Sequence, residues 1–213
     1  MTKDLIFYTN PQSRGRIVRW MLEEVGAPYR TEILGYADSM KADAYLAINP
    51  MGKVPAIKHG DSVVTEGAAI CAYLADAFPE AALAPPLAER GDYYRWLFFA
   101  AGPLEQAWTY KSFGFEPEGD QRRRAGFGCL EDVINALDGA LKDSDYLAGS
   151  RFSAADVFTA AGLGFGMQFG LLPKLPSFER YVGKHSSRPA AIRAREIDDG
   201  LIAAAAQAQP QPA

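Results

Sequence analysis

The sequence predicts a chain in two parts, an α/β N-terminal half followed by an all-helical C-terminal half, and three observations carry that expectation. Strand-like and helix-like patterns alternate over the first 78 residues in the order β-α-β-(α)-β-β-α. A Pro- and Ala-rich stretch follows over residues 79–88. Beyond it the apolar residues recur at helical spacing. A chain of 213 residues has room for two small domains. At that size it buries roughly 70% of its unfolded surface and needs no disulfide or structural metal to hold a core.

Leu5-Ile6-Phe7-Tyr8-Thr9 is a short apolar run closed by Asn10-Pro11, a strand and then a turn. Ile17, Val18, Met21, Leu22 and Val25 follow at helical spacing, and Gly26 supplies the stop. Tyr29 to Leu34 alternates and predicts a second strand, and residues 38–48 a short polar helix or an irregular crossover. Ala56–His59 and Ser62–Thr65 flank Gly60-Asp61, a pair suited to a tight hairpin. Ala68, Ala69, Ile70, Tyr73, Leu74 and Ala77 complete the half as one more amphipathic helix. Residues 79–88 read as a semi-rigid linker. In the helical half, Leu130, Val133, Leu137 and Leu141 form a clean stripe. Ser153-Ala154-Ala155-Asp156 is a capping-box variant, with Phe152 and Val157 at the staple positions on either side. The expected boundaries are therefore 1–78, a linker at 79–88, a helical domain at 89–206 and a tail at 207–213.

Charge excludes some partners. The net charge is −4, with 8 basic against 9 acidic residues in 1–78 and 14 against 17 in the remainder. Neither half has the charge of a nucleic-acid-binding block, and Arg122-Arg123-Arg124 reads as a solvated helix surface. The longest charge-free run, Val157 to Pro173, is short of the ~20 residues that span a bilayer and holds four glycines, so it reads as a buried helix rather than a membrane segment. Cys71 and Cys129 are far apart, and no secretory signal precedes the first strand, which predicts a cytoplasmic, reducing setting. Cys71 falls on the helix stripe of Leu74 and reads as an inert buried thiol. His59 and His185 lack metal-ligand spacing, so no metal is expected.

The chemistry concentrates in Asn49-Pro50-Met51-Gly52-Lys53-Val54-Pro55-Ala56. A Val-Pro pair entering a strand removes a ladder donor, and a cis bond there would leave the Val54 N–H and C=O facing solvent. Free extended backbone can pair with a peptide-like ligand as an added strand. Thr65-Glu66-Gly67-Ala68 then begins a helix whose free N–H groups attract a carboxylate, with Glu66 beside them for an ammonium. Together these features suit a small zwitterionic peptide; an edge strand with a capped helix is the plain structural alternative.

The element order, the Asn49–Ala56 stretch, the Glu66-Gly67 helix start and the Phe152–Asp156 helix start together resemble the cytosolic glutathione S-transferases, over roughly residues 4 to 200. The resemblance implies a thioredoxin-like N-terminal domain that binds glutathione. It also implies a helical domain that builds the pocket for an electrophile, a homodimer and a detoxifying transferase. Val54 matches the backbone that pairs with the cysteinyl unit, Pro55 the cis-proline, and Glu66 the acidic residue near the γ-glutamyl ammonium. Lys53 stands where a basic side chain reaches the glycyl carboxylate. Gly67 departs from the pattern, which has a Ser whose hydroxyl binds the γ-glutamyl carboxylate; a charge-assisted bond of ~1.5–3 kcal/mol is missing. The activator of the thiol stays open. Ser13 matches the serine- and cysteine-using branches, and Tyr8 the tyrosine-using ones with Arg14 in support; Asn10, or no activation, is the remaining alternative. A hydroxyl need only lower the thiol pKa from ~8.5 to ~6.5, about 2.7 kcal/mol. A glutathione-dependent reductase, isomerase or dehalogenase, or a non-catalytic binding protein, is the alternative on the same fold.

Overall fold

The computed structural model describes residues 4–208. They form two compact units: one holds the described residues up to Ala81 and those from Arg188 onward, the other Ala82–Ser187.

The first unit opens with β1 (Leu5–Thr9), α1 (Gly15–Val25) and β2 (Arg30–Ile33). A single turn of 3₁₀ helix (Ser39–Lys41) and α2 (Asp43–Leu46) make the crossover, and β3 (Ala56–His59), β4 (Ser62–Thr65) and α3 (Gly67–Ala77) follow. The sheet runs β2-β1-β3-β4, with β1 and β2 parallel and the other pairs antiparallel. This is the thioredoxin-like arrangement. Alternation along β1 gives each face its core: Leu5, Phe7 and Thr9 are fully buried, while Tyr8 points the other way and packs on Met40, Tyr45 and Ala56. The stripe of α1 buries Val18, Met21 and Leu22, and Gly26 ends the helix at φ 72°, a conformation costly for any residue with a Cβ.

The second unit carries α4 (Gly91–Phe99), α5 (Glu105–Ser112), α6 (Asp120–Arg124), α7 (Leu130–Leu141), α8 (Ala154–Gln168) and α9 (Pro176–Ser186). Pro103, which has no N–H to donate, sits in a π-helical turn between α4 and α5. The expected box at the start of α8 is present. Asp156 Oδ2 accepts the Ser153 N–H at 2.9 Å, and Oδ1 takes the Tyr181 hydroxyl at 2.7 Å and the Leu147 N–H at 2.9 Å. A fully buried carboxylate is tolerable only with its lone pairs satisfied in this way. Among the described residues, no helix is long and apolar enough to cross a membrane.

The last helix, α10 (Pro189–Ala208), packs along α1 and belongs to the first unit, although sequence order sets it with the helical half. Arg19 of α1 and Asp198 of α10, both buried, join at 2.7 Å, with the guanidinium also over the Phe7 ring. Of the expected tail, Gln207 and Ala208 end α10, and 209–213 lie outside the described residues.

Candidate functional site

Strand register brings the motifs to one end of the sheet. Thr9, the last residue of β1, stands beside Ile33, the last of β2. Tyr8 pairs with Ala56 at the start of β3, and Ala56 pairs with Thr65 at the end of β4. The 10–13 turn, the Lys53-Val54-Pro55 segment and the Glu66-Gly67 helix start therefore leave the sheet at the same edge, although up to 57 positions separate them in sequence. A groove of about 910 Å³, lined in part by Asp4, Tyr29, His59, Tyr73 and Phe78, lies at the opposite end and holds none of these residues.

The loop before β3 is held by Asn49 from within the stretch already singled out and by Lys41 and Tyr45, which the sequence did not mark. Tyr45 Oη and Asn49 Nδ2 both donate to the Lys53 carbonyl, at 2.6 and 2.8 Å. Lys41 Nζ donates to the carbonyls of Met51 and Gly52. Gly52 has φ 56°, and a Cβ there would meet the Met40 carbonyl at 2.7 Å, so only glycine fits. With its neighbours fixed, Val54 is left half-buried, and neither its N–H nor its C=O bonds to another described residue. The Val54–Pro55 peptide bond is cis. The Lys53 side chain is exposed.

At the third segment, Glu66 has φ 65° and ψ 117°, outside the regions comfortable for a residue with a Cβ. Its carbonyl accepts the first helical bond, from Ile70 at 2.9 Å. Its side chain is exposed, with no hydrogen bond or ion pair among the described residues, and no side chain caps the helix. The Gly67, Ala68 and Ala69 N–H groups at the start of α3 are thus open to an anion, with a carboxylate next to them. This polarity is complementary to that of an α-amino acid, which carries a carboxylate beside an ammonium.

The 10–13 turn is tightly bonded. Asn10 Oδ1 accepts the Gln12 N–H at 2.9 Å, Nδ2 donates to the Leu34 carbonyl at 2.8 Å, and the Asn10 carbonyl takes the Ser13 N–H. Asn10 is a structural hub. Ser13 Oγ accepts the Gly15 N–H at 2.9 Å and donates its own proton to the Asn10 carbonyl at 2.7 Å. To serve a sulfur, the hydroxyl must give up that second bond. Gly15 leaves room for Thr9, whose side chain a Cβ there would force to shift. Arg14 is exposed at the helix start. Tyr8 lies one strand position from the turn, with its ring 5.6 Å from Tyr45. Burial, with Glu32 nearby, pushes the Tyr8 phenol above its ordinary range and keeps it a proton donor. Cys71 is fully buried and its thiol is pushed far up by desolvation, which leaves it unreactive.

Residues 13–77 match the glutathione S-transferase N-terminal domain and residues 103–189 the glutathione S-transferase C-terminal domain. The chain is 30% identical to the glutathione S-transferase GstA of Escherichia coli O157:H7 over 167 residues, which is 76% of this chain and 78% of that one. It is 28% identical to elongation factor 1-gamma 1 of Oryza sativa over 71% of its length but spans only 38% of that protein. A sphingomonad glutathione S-transferase solved with glutathione superposes with a TM-score of 0.74 at 28% identity, over 91% of this chain and 98% of the other.

Proposed function

The chain belongs to the glutathione S-transferase family, and we propose that it binds glutathione and adds the glutathione thiolate to small apolar electrophiles. The observation that carries this reading is the pairing of an unengaged Val54 backbone with an uncapped α3 N-terminus beside Glu66 at one edge of the sheet. The Val54 N–H and C=O take the cysteinyl backbone as an added strand. The Gly67 N–H and its neighbours take the γ-glutamyl carboxylate, the Glu66 carboxylate takes the ammonium, and the exposed Lys53 takes the glycyl carboxylate.

These contacts set the sulfur toward the 10–13 turn. Ser13 Oγ turns from the Asn10 carbonyl to donate to sulfur, which favours the thiolate; the thiol proton leaves to water. Tyr8 is the second candidate donor, and Arg14 adds positive charge near the turn. The sulfur lone pair then forms a C–S bond as the leaving group departs with its electron pair. A cytoplasmic setting agrees with two free, buried cysteines. A twofold homodimer belongs to the same reading: the expected sedimentation mass is about twice the 23.2 kDa chain, and a clean monomer counts against the dimer.

The experiment is calorimetric titration with glutathione followed by a panel of electrophiles. Binding with turnover supports the transferase, and no binding refutes it. Binding without turnover supports a second reading, a non-catalytic binding protein, which the commitment of the Ser13 proton to Asn10 favours.

A further inference from the structure

Helices α1 and α10 meet through four ion pairs whose signs are sorted along their length. Reading along α1, Arg16 and Arg19 come before Glu23 and Glu24. Reading into and along α10, Arg188, the residue just before it, and Arg193 come before Asp198 and Asp199. Antiparallel packing matches them in order: Arg16 with Asp199 at 2.7 Å, Arg19 with Asp198 at 2.7 Å, Glu23 with Arg193 at 3.3 Å, and Glu24 with Arg188 at 2.7 Å. A slip of one helical turn would set Asp198 against Glu23 or Arg193 against Arg19, so like charges disfavour the neighbouring registers.

One pair reaches past the helices. Arg16 holds Asp199 Oδ1 with Nη2 and, with Nη1, donates to the Pro11 carbonyl at 3.3 Å. Pro11 lies inside the turn that carries Ser13. The guanidinium therefore bridges the C-terminal helix to the backbone of that turn.

We propose that Asp199, acting through Arg16, is a positioning residue for the 10–13 turn, so that α10 is a strap that sets where the Ser13 hydroxyl meets the glutathione sulfur. The inference rests on the transferase reading for the identity of the sulfur. The strap itself stands on the bonds among Asp199, Arg16 and Pro11. The Arg16 and Asp199 side chains are 35% and 58% exposed, so solvent screens the pair and its effect is modest, about two- to fivefold in a local equilibrium.

The test compares Asp199→Asn, Asp199→Glu and Arg193→Met, the last breaking a pair further along the same strap. Amide hydrogen exchange at Gln12, Ser13 and Gly15 reads the turn, and a thiolate absorbance titration of bound glutathione reads the sulfur. Asp199→Asn raises exchange at these amides about two- to fivefold and moves the bound-thiol titration upward in pH. Asp199→Glu restores both, and Arg193→Met changes neither. Unchanged exchange in Asp199→Asn, or an equal rise in Arg193→Met, overturns the strap. Raised exchange with an unmoved titration overturns its link to the sulfur. A wild-type bound thiol that ionises like free glutathione defeats the transferase reading instead, and exchange alone then decides the strap.

Discussion

Glu66 offers a direct test of whether the molecule holds strain for the sake of binding. Its backbone sits at φ 65°, ψ 117°, where a Cβ crowds the main chain at a cost of about 1–3 kcal/mol. Its exposed side chain returns nothing to stability through the described residues. Glycine takes positive φ without penalty but gives the unfolded chain extra freedom, worth about 0.4–1 kcal/mol against alanine. Glu66→Ala removes the carboxylate and keeps the strain, whereas Glu66→Gly removes both, so the difference between the two variants isolates the backbone term. The expected result is that Glu66→Gly is more stable than Glu66→Ala by about 1–2 kcal/mol, roughly 2–8 °C in Tm for a chain of this size. Both variants lose the contact to the ammonium, about 1.5–3 kcal/mol, which is roughly ten- to hundredfold in Kd for glutathione. Denaturant midpoints and calorimetry on the same samples supply both numbers. A glycine variant no more stable than the alanine variant refutes the strain; unchanged affinity in both refutes the role of the carboxylate.

Three further predictions follow from the same geometry. Ser13→Ala raises the pKa of bound glutathione thiol by a unit or more, about 1.4 kcal/mol, with little change in Kd, and Tyr8→Phe does not. The reverse pattern in a thiolate titration assigns activation to Tyr8. Gly67→Ser restores a hydroxyl at the start of α3 and tightens glutathione binding by about tenfold or more; calorimetry showing no gain would mean that the carboxylate sits elsewhere. Asp198→Ala strands the buried Arg19 guanidinium and costs about 3–5 kcal/mol in urea unfolding, while the double change Arg19→Met with Asp198→Leu recovers most of it. A single variant as stable as the parent would show that the pair is not buried in solution.

Much of the first unit was legible because its signals are local. The alternation of β1, the Gly60-Asp61 hairpin and the Gly26 stop each lie within a few residues of what they specify; in the second unit the same holds for the box at Ser153 and Asp156. The Val54-Pro55 and Glu66-Gly67 segments could be singled out for a related reason. A missing donor and an uncapped helix start are properties of two or three adjacent residues.

The placement of α10 was not legible. The sequence sets it within the helical domain of 89–206, but the partners of Arg188, Arg193, Asp198 and Asp199 lie 164 to 183 positions away, and nothing near them in sequence selects α1 over any other apolar face. The state of Ser13 was hidden for a different reason. A hydroxyl that caps a turn and one that is free to meet a ligand are the same residue, and only the position of the Asn10 carbonyl decides between them. What Gly52 and Gly15 meet was hidden in the same way, because Met40 and Thr9 close in on them only in the folded chain. The sequence by itself determined the two-part architecture, most elements of the first unit and the segments singled out as a candidate site, because hydrogen-bond donors, caps and periodicity act over short range. The tertiary structure decided which of those segments share an edge, which groups are already engaged and which helix straps the turn, because these depend on contacts made only once distant parts of the chain have packed.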